Sequence, residues 1–207
     1  PGAQQTASVV SPYIYAEDNW ADDMELAAIQ LDYLGQGGEY IEEALKYAAM
    51  EPVTPWMGAD TASHYQWYPF VNLGHYFLAQ NAKGAERDTV IAYMKKGLEG
   101  ILKRGETNPF LNGVPFIWCS NNLVAAAITQ CRLYQQLTGS DEFAEMEASL
   151  RDWLFGCNPW GTSMIVGLPS WGDYPEDPHS SYRDGGKKLA ATPGGLVDGP
   201  VYSTIYN

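Results

Sequence analysis

Positive charge is scarce in this sequence. Twelve Lys and Arg stand against twenty-five Asp and Glu, a formal net charge of −13 over 207 residues. Proteins hold a phosphate backbone by releasing its counterions through clustered cations, and no basic stripe offsets the acidic excess, so nucleic acid is excluded as a partner. Long apolar runs are also missing. None approaches the roughly 20 residues of a membrane helix, which leaves no membrane partner. Pro1 does not open a charged-then-apolar secretion signal, so any leader is expected outside these residues. Cysteine is sparse too: Cys119, Cys131 and Cys157 show no CxxC or CxxH spacing. Neither a disulfide framework nor a zinc site is expected, and the three thiols read as small buried hydrophobes.

What is present is apolar and aromatic. Hydrophobic residues make up 45% of the chain, with seven Trp and fourteen Tyr. Aromatic faces beside carboxylates suit neutral polyhydroxylated ligands such as sugars better than anions. The apolar spacing predicts helices nearly everywhere up to about residue 156. The first runs from Trp20 to Leu34, with Asp22 and Asp23 in its first turn, where the helix dipole favours anions, and Gly35, Gly37 and Gly38 stop it. The second covers Glu39 to Met50 and ends before Pro52 and Pro55. The third starts near Trp67 and continues through Leu78, and the fourth runs from about Ala85 to Lys103. The fifth spans Trp118 to Leu137 and ends at Thr138 and Gly139. The sixth takes Ser140 as its N-cap and runs to Gly156.

Six successive helices without a convincing strand run form three helical hairpins. The second members of the first two pairs carry most of the charge, whereas the third and fifth helices are nearly uncharged. An inner layer of apolar helices under a wetter outer layer is expected. Trp20, Trp67 and Trp118 each fall at the start of an inner helix. Three hairpins neither close into a ring nor cap themselves, so the array is expected to be part of a larger one. Residues 157 to 207 hold eight Gly and six Pro with no helical period, a long irregular segment of the kind that is usually functional. The ending Gly199-Pro-Val-Tyr-Ser-Thr-Ile-Tyr-Asn207 reads as a loop cut in the middle.

Three stretches of that segment carry a family pattern. They are Asp152-Trp-Leu-Phe-Gly-Cys-Asn-Pro-Trp-Gly-Thr-Ser-Met-Ile-Val-Gly167, then Pro175-Glu-Asp-Pro-His179, then Gly194-Gly-Leu-Val-Asp-Gly-Pro200. The order resembles the C-terminal half of the catalytic domain in family 9 glycoside hydrolases, the cellulase-type inverting enzymes. Upstream, Trp118-Cys-Ser120 is similar to the family's Trp-Gly-Ser, and Trp20-Ala-Asp-Asp-Met-Glu-Leu-Ala-Ala28 resembles its Asp-Glu-Leu-x-Trp-Ala-Ala helix. The resemblance implies an all-α fold of helical hairpins from an (α/α)6 toroid, about half of the ring. Residues 1–207 would be a partial catalytic domain, with hairpins over about 20–156 and a substrate-loop segment over 157–207.

The resemblance also implies site residues. Inverting hydrolysis places two carboxyl groups roughly 6.5–9.5 Å apart, one activating water and one protonating the leaving oxygen. The family's base is an early Asp pair and its acid a late Glu, and neither pattern occurs here. Asp173, Asp177 and Asp184 inherit no such role. This segment would supply the sugar-binding wall of an enzyme acting on β-1,4-glucan. His179 matches the first His of the family's Pro-His-His-Arg loop and would contact the sugar as an auxiliary group, not as acid or base. The second His and the Arg are here Ser180 and Ser181, with Arg183 as a replacement cation. Trp118 would be a stacking platform, and Asn122 stands where many members carry Arg. Trp20 and Trp67 would line the cleft or pack in the core.

Asp22 and Asp23 align with calcium ligands of some members, although two acids in a first helical turn serve equally as stabilisers, and Tyr68 replaces the corresponding acid near Trp67. No cofactor is required, and structural calcium stays open. His64 and His75 read as structural histidines beside aromatics. Asn158, Pro159 and Gly161 read as turn chemistry. The expected partners are a β-glucan or oligosaccharide and the remainder of the catalytic domain or a second copy. A secreted or periplasmic place follows from the family. The rival is a non-catalytic carbohydrate-binding or scaffolding protein derived from the same fold.

Overall fold

A computed structural model describes residues 20–35, 37–58, 71–175 and 193–204 with their side chains, and the backbone alone of 4–5, 16–17, 183–184, 187–188 and 205–206. His64, Trp67 and His179 lie outside the described residues, and Arg183 is described only as backbone. The elements are β1 (Gln4–Gln5), β2 (Ala16–Glu17), α1 (Ala21–Gly35), α2 (Ile41–Met50), α3 (Pro55–Gly58), α4 (Leu73–Asn81), α5 (Gly84–Gly105), α6 (Ser120–Thr138), α7 (Ala144–Leu154), β3 (Arg183–Asp184), β4 (Lys187–Lys188) and α8 (Ser203–Tyr206). Strands β1 and β2 pair antiparallel, as do β3 and β4, in two-residue ladders.

Most helix boundaries fall within two residues of those the sequence predicts; two starts lie further off, and one short helix is added. Helix α4 starts at Leu73 rather than near Trp67, because Asn72 caps it: the Asn72 side-chain oxygen accepts from the His75 amide at 2.9 Å. The apolar run before it hides that cap. Helix α7 starts at Ala144, not after Ser140. The Ser140 hydroxyl instead accepts from the Glu142 amide two residues on, which forms a local turn that holds residues 141–143 outside the helix. Pro55 opens the short helix α3 rather than merely stopping α2, since its fixed φ and missing N–H suit a first helical position.

The hairpins are α1 with α2, α4 with α5, and α6 with α7, and the inner helices α1, α4 and α6 follow one another side by side. Two cores fill the array. One joins α3, α5, α6 and α7 through large side chains including Trp56, Met94, Leu98, Ile117, Leu150 and Trp153. The other joins α1, α2, α4 and α5 and is built of small ones: Ala28, Ala44, Ala48, Ala79 and Ala82 around Ile29, Leu78 and Val90. Small side chains let helix axes approach closely. Gly100 does the same where α3 crosses α5, since a Cβ there would lie 2.7 Å from the Met57 carbonyl. Among the described residues no helix is long and apolar enough to cross a membrane.

Candidate substrate-binding site

Because α1, α4 and α6 each open a hairpin, they run in one direction and their N-terminal ends gather at one end of the array. Trp20 and Trp118 both stand there. Trp118 is 37% exposed, and Asn122 beside it on the first turn of α6 is exposed too. Cys119 adopts the left-handed conformation at φ 61°, which turns the chain sharply into α6. The next two residues are fully buried and grip a distant loop. The Ser120 hydroxyl donates to the Pro200 carbonyl at 2.7 Å, and the Asn121 amide and side chain donate to the Asp198 and Val197 carbonyls at 3.0 and 2.9 Å. The grip requires glycine at 199, where φ is 95° and a Cβ would meet the Ser120 hydroxyl at 2.5 Å.

The same contact explains a thiol perturbation. Burial, and then the Asp198 carboxylate beside it, push the Cys119 thiol above its ordinary range. The three cysteines therefore differ. Only Cys131 is the small buried hydrophobe expected of all three, and its burial pushes the thiol up to about 12; Cys119 is half-buried and Cys157 exposed.

The irregular segment is tied down by its own polar groups. Asn158 donates to the Trp153 and Thr162 carbonyls at 2.9 and 2.7 Å and accepts from the Trp160 amide, while Gly161 takes φ 63°. Main-chain bonds from Met164 to Leu154, Val197 to Met164 and Val166 to Gly195 then stitch the stretch after α7 to residues 195–197. The Asp173 carbonyl accepts from the Ser163 amide at 2.8 Å and its carboxylate from the Thr162 hydroxyl at 3.2 Å. That is loop bracing. The loop also carries Trp160 and Trp171, 55% and 88% exposed, which the sequence reading left unassigned.

At the other inner helices the picture is polar and buried. Trp20 is half-buried, edge-on to Tyr47 of α2 at 6.2 Å. Asp22 is buried and Asp23 exposed, and desolvation holds the Asp23 carboxyl above its usual range. A hard cation needs several oxygen ligands, and among the described residues no group of three or more His, Cys, Asp and Glu side chains gathers at one point. Between α1 and α4 lies a pair the sequence reading missed. His75 Nδ1 donates to the Glu25 carboxylate, 2.8 and 2.7 Å from its two oxygens, with both residues buried, and Nε2 reaches the Pro52 carbonyl at 3.3 Å. Gly74 makes room, since a Cβ there would meet the Glu25 carboxyl at 2.8 Å. His75 is the structural histidine expected, but its partner is an acid fifty residues away, which no local pattern reveals.

The sequence matches the model of glycosyl hydrolase family 9 over residues 2–207. The chain belongs to this family. Family 9 endoglucanases share its fold. A thermostable single-mutant endoglucanase from Alicyclobacillus acidocaldarius superposes at TM-score 0.72 with 18% identity over 97% of this chain, and AaCel9A in complex with cellobiose-like isofagomine superposes at 0.71 with 18% identity over 94%. The family 9 endoglucanase J30 follows at 0.61 with 16% identity over 84%. The chain spans 37%, 36% and 31% of those proteins' lengths respectively. No curated protein sequence matches it. The all-α reading, with hairpins from an (α/α)6 architecture, agrees with these neighbours. Within the family 9 segment, the structure ties Ser120 and Asn121, next to Trp118, to the 197–200 loop and leaves Trp20 packed against Tyr47 of α2.

Proposed function

We propose that this chain is part of an inverting glycoside hydrolase acting on β-1,4-glucan, and that residues 118–122, braced by the 197–200 loop, form part of its sugar-binding wall. The observation that carries the reading is Trp118: an indole 37% exposed at the N-terminal end of an inner helix, on backbone gripped by two fully buried side chains. An exposed aromatic face on rigid support can stack on the apolar face of a pyranose without ordering cost. The net charge of −13 favours a neutral polymer over a uronate one. Residues 1–207 then act as a partial catalytic domain, with the hairpins over 20–156 as scaffold and 157–207 as the substrate loop, on which His179 and Arg183 would contact sugar. The catalytic carboxylates come from the remainder of the domain, in a secreted or periplasmic protein.

The experiment is hydrolysis of cello-oligosaccharides by the full-length polypeptide with Trp118 intact and replaced by Ala, with anomer-resolved NMR of the product. Loss of stacking should weaken kcat/KM by about tenfold, the equivalent of roughly 1.4 kcal/mol. An unchanged kcat/KM removes Trp118 from the wall. Binding without turnover by the full-length polypeptide favours the non-catalytic carbohydrate-binding alternative.

A further inference from the structure

The loop that α6 grips is held through its main chain. The carbonyls of Val197 and Asp198 accept from Asn121 at 2.9 and 3.0 Å, and that of Pro200 accepts from the Ser120 hydroxyl at 2.7 Å. On the other flank the Val197 amide donates to the Met164 carbonyl at 2.9 Å, and Gly199 leaves no room for a side chain against Ser120. A main-chain carbonyl is the same group whatever residue carries it, so these bonds do not call for aspartate at 198. What aspartate adds there is a carboxylate.

That carboxylate stands at the edge of the wall. It lies against the Cys119 thiol, one residue from Trp118. Asp198 and Cys119 are both half-buried, whereas Trp118 and Asn122 on either side of Cys119 are exposed. Burial and the carboxylate keep the thiol above its ordinary range, so at neutral pH it stays an uncharged donor that orients the acid instead of a second anion that would repel it. An exposed indole, an exposed amide and an acid on fixed backbone therefore meet at the start of α6.

This grouping selects a ligand chemistry. A carboxylate only accepts, at about four sites over its two oxygens, so its partner must bring donors. An anion brings none, and a chain of net charge −13 repels it. A metal cation needs several ligands, and among the described residues no group of three or more His, Cys, Asp and Glu side chains gathers. A pyranose brings both features required: C–H faces for the indole, and hydroxyls around its rim that reach sideways to whatever flanks the stacked ring. We propose that Asp198 is a substrate-binding residue of the wall, its carboxylate accepting from rim hydroxyls of the sugar that stacks on Trp118. Two hydroxyls on one carboxylate fix the rotation of the ring over the indole, which stacking alone leaves open. The proposal rests on the reading of Trp118 as a sugar platform.

The test uses the full-length polypeptide with cellotetraose and its monodeoxy analogues, each lacking one hydroxyl, read as kcat/KM or, where the protein binds without turnover, as Kd. Asp198→Ala should weaken the parent sugar by at least about tenfold, and Asp198→Asn, which keeps one acceptor oxygen without the charge, by less. One analogue should cost the unaltered protein about tenfold and cost Asp198→Ala nothing further, because hydroxyl and acceptor are then both gone. A merely structural role would weaken the parent and every analogue by one common factor; that result overturns the proposal, as does an unchanged value in Asp198→Ala. If Asp198→Ala does not fold, Asp198→Asn carries the same comparison. A loss in Trp118→Ala with none in Asp198→Ala overturns the proposal and leaves the wall standing. Compensation at Asp198 with no loss in Trp118→Ala upholds the carboxylate contact and removes the platform. If neither variant changes any value, both readings fall.

Discussion

The two cores of this molecule solve the same problem with opposite materials. Around α1, α2 and α4 the packing is made of alanines, and the specificity comes from one buried polar contact, Glu25 with His75. Around α5, α6 and α7 the packing is made of large aliphatic and aromatic side chains; buried Glu147 of α7 pairs with Arg132 of α6 and Arg151, and other buried polar groups serve the loops: Ser120 and Asn121 hold residues 197–200, and Asn158 holds its own turn. Alanine faces allow two helices to slide past each other at little cost, so a directional pair is what sets their register. Interlocking large side chains set most of the register by shape, which leaves several polar groups to position loops.

Breaking the polar lock should have the largest effect. Glu25→Ala leaves His75 without its acceptor in a buried site and should cost about 3–5 kcal/mol in urea unfolding. Glu25→Gln retains an acceptor oxygen and should cost less. A near-neutral Glu25→Ala would mean that the alanine core fixes its own register. Large-to-small changes sharpen the contrast from the packing side. Leu150→Ala in the large-residue core should cost about 4 kcal/mol, against about 3 kcal/mol for the same change at the equally buried Leu78 in the alanine core. Equal values would dissolve the distinction between the cores.

Ser120→Ala comes next, at about 1 kcal/mol for the lost bond to Pro200. It should also weaken saccharide binding at Trp118, whereas Leu150→Ala, though more destabilising, should leave binding of the folded fraction unchanged; isothermal titration separates the two. Thiol labelling at mildly alkaline pH should run Cys157, then Cys119, then Cys131. Asp198→Asn should speed Cys119 by lowering its pKa, which mass spectrometry of the alkylated peptides would register.

The smallest effect is a pH dependence. Glu142 is held below the ordinary carboxylate range by Lys95, at 2.6 Å, and by the Tyr134 hydroxyl, also at 2.6 Å. A folded-state pKa below the unfolded one gives stability that is present above the unfolded value and lost as pH falls through the folded value. Glu142→Gln should therefore flatten the acid limb of the stability curve slightly, most visibly at low salt.

The sequence carried much of the fold in plain form. Gly139 closes α6 with φ 73° and its amide on Gln135, and the apolar period of α5 holds from Gly84 to Gly105. Where it misled, a local competitor prevailed: Asn72 as a cap within an apolar run, the Ser140 hydroxyl bonding two residues on rather than capping a helix, and Pro55 opening a turn. The end proposed to bind sugar was half legible. Trp118 and the Gly-rich 194–200 stretch stand out as motifs, but their union through Ser120 and Asn121 spans nearly eighty positions and leaves no periodic trace.

What the sequence determined by itself is the set of local choices: helix periods, glycine stops, an acidic surface and a family-specific order of loops. These depend on neighbours a few residues apart, where backbone geometry and side-chain chemistry act directly. Only the tertiary structure decided that Glu25 faces His75, that Gly199 seats on Ser120, and that Trp153 and Phe110 line one cavity. Each of those depends on which atoms a closed core leaves within hydrogen-bond reach, and distance in the chain says nothing about that.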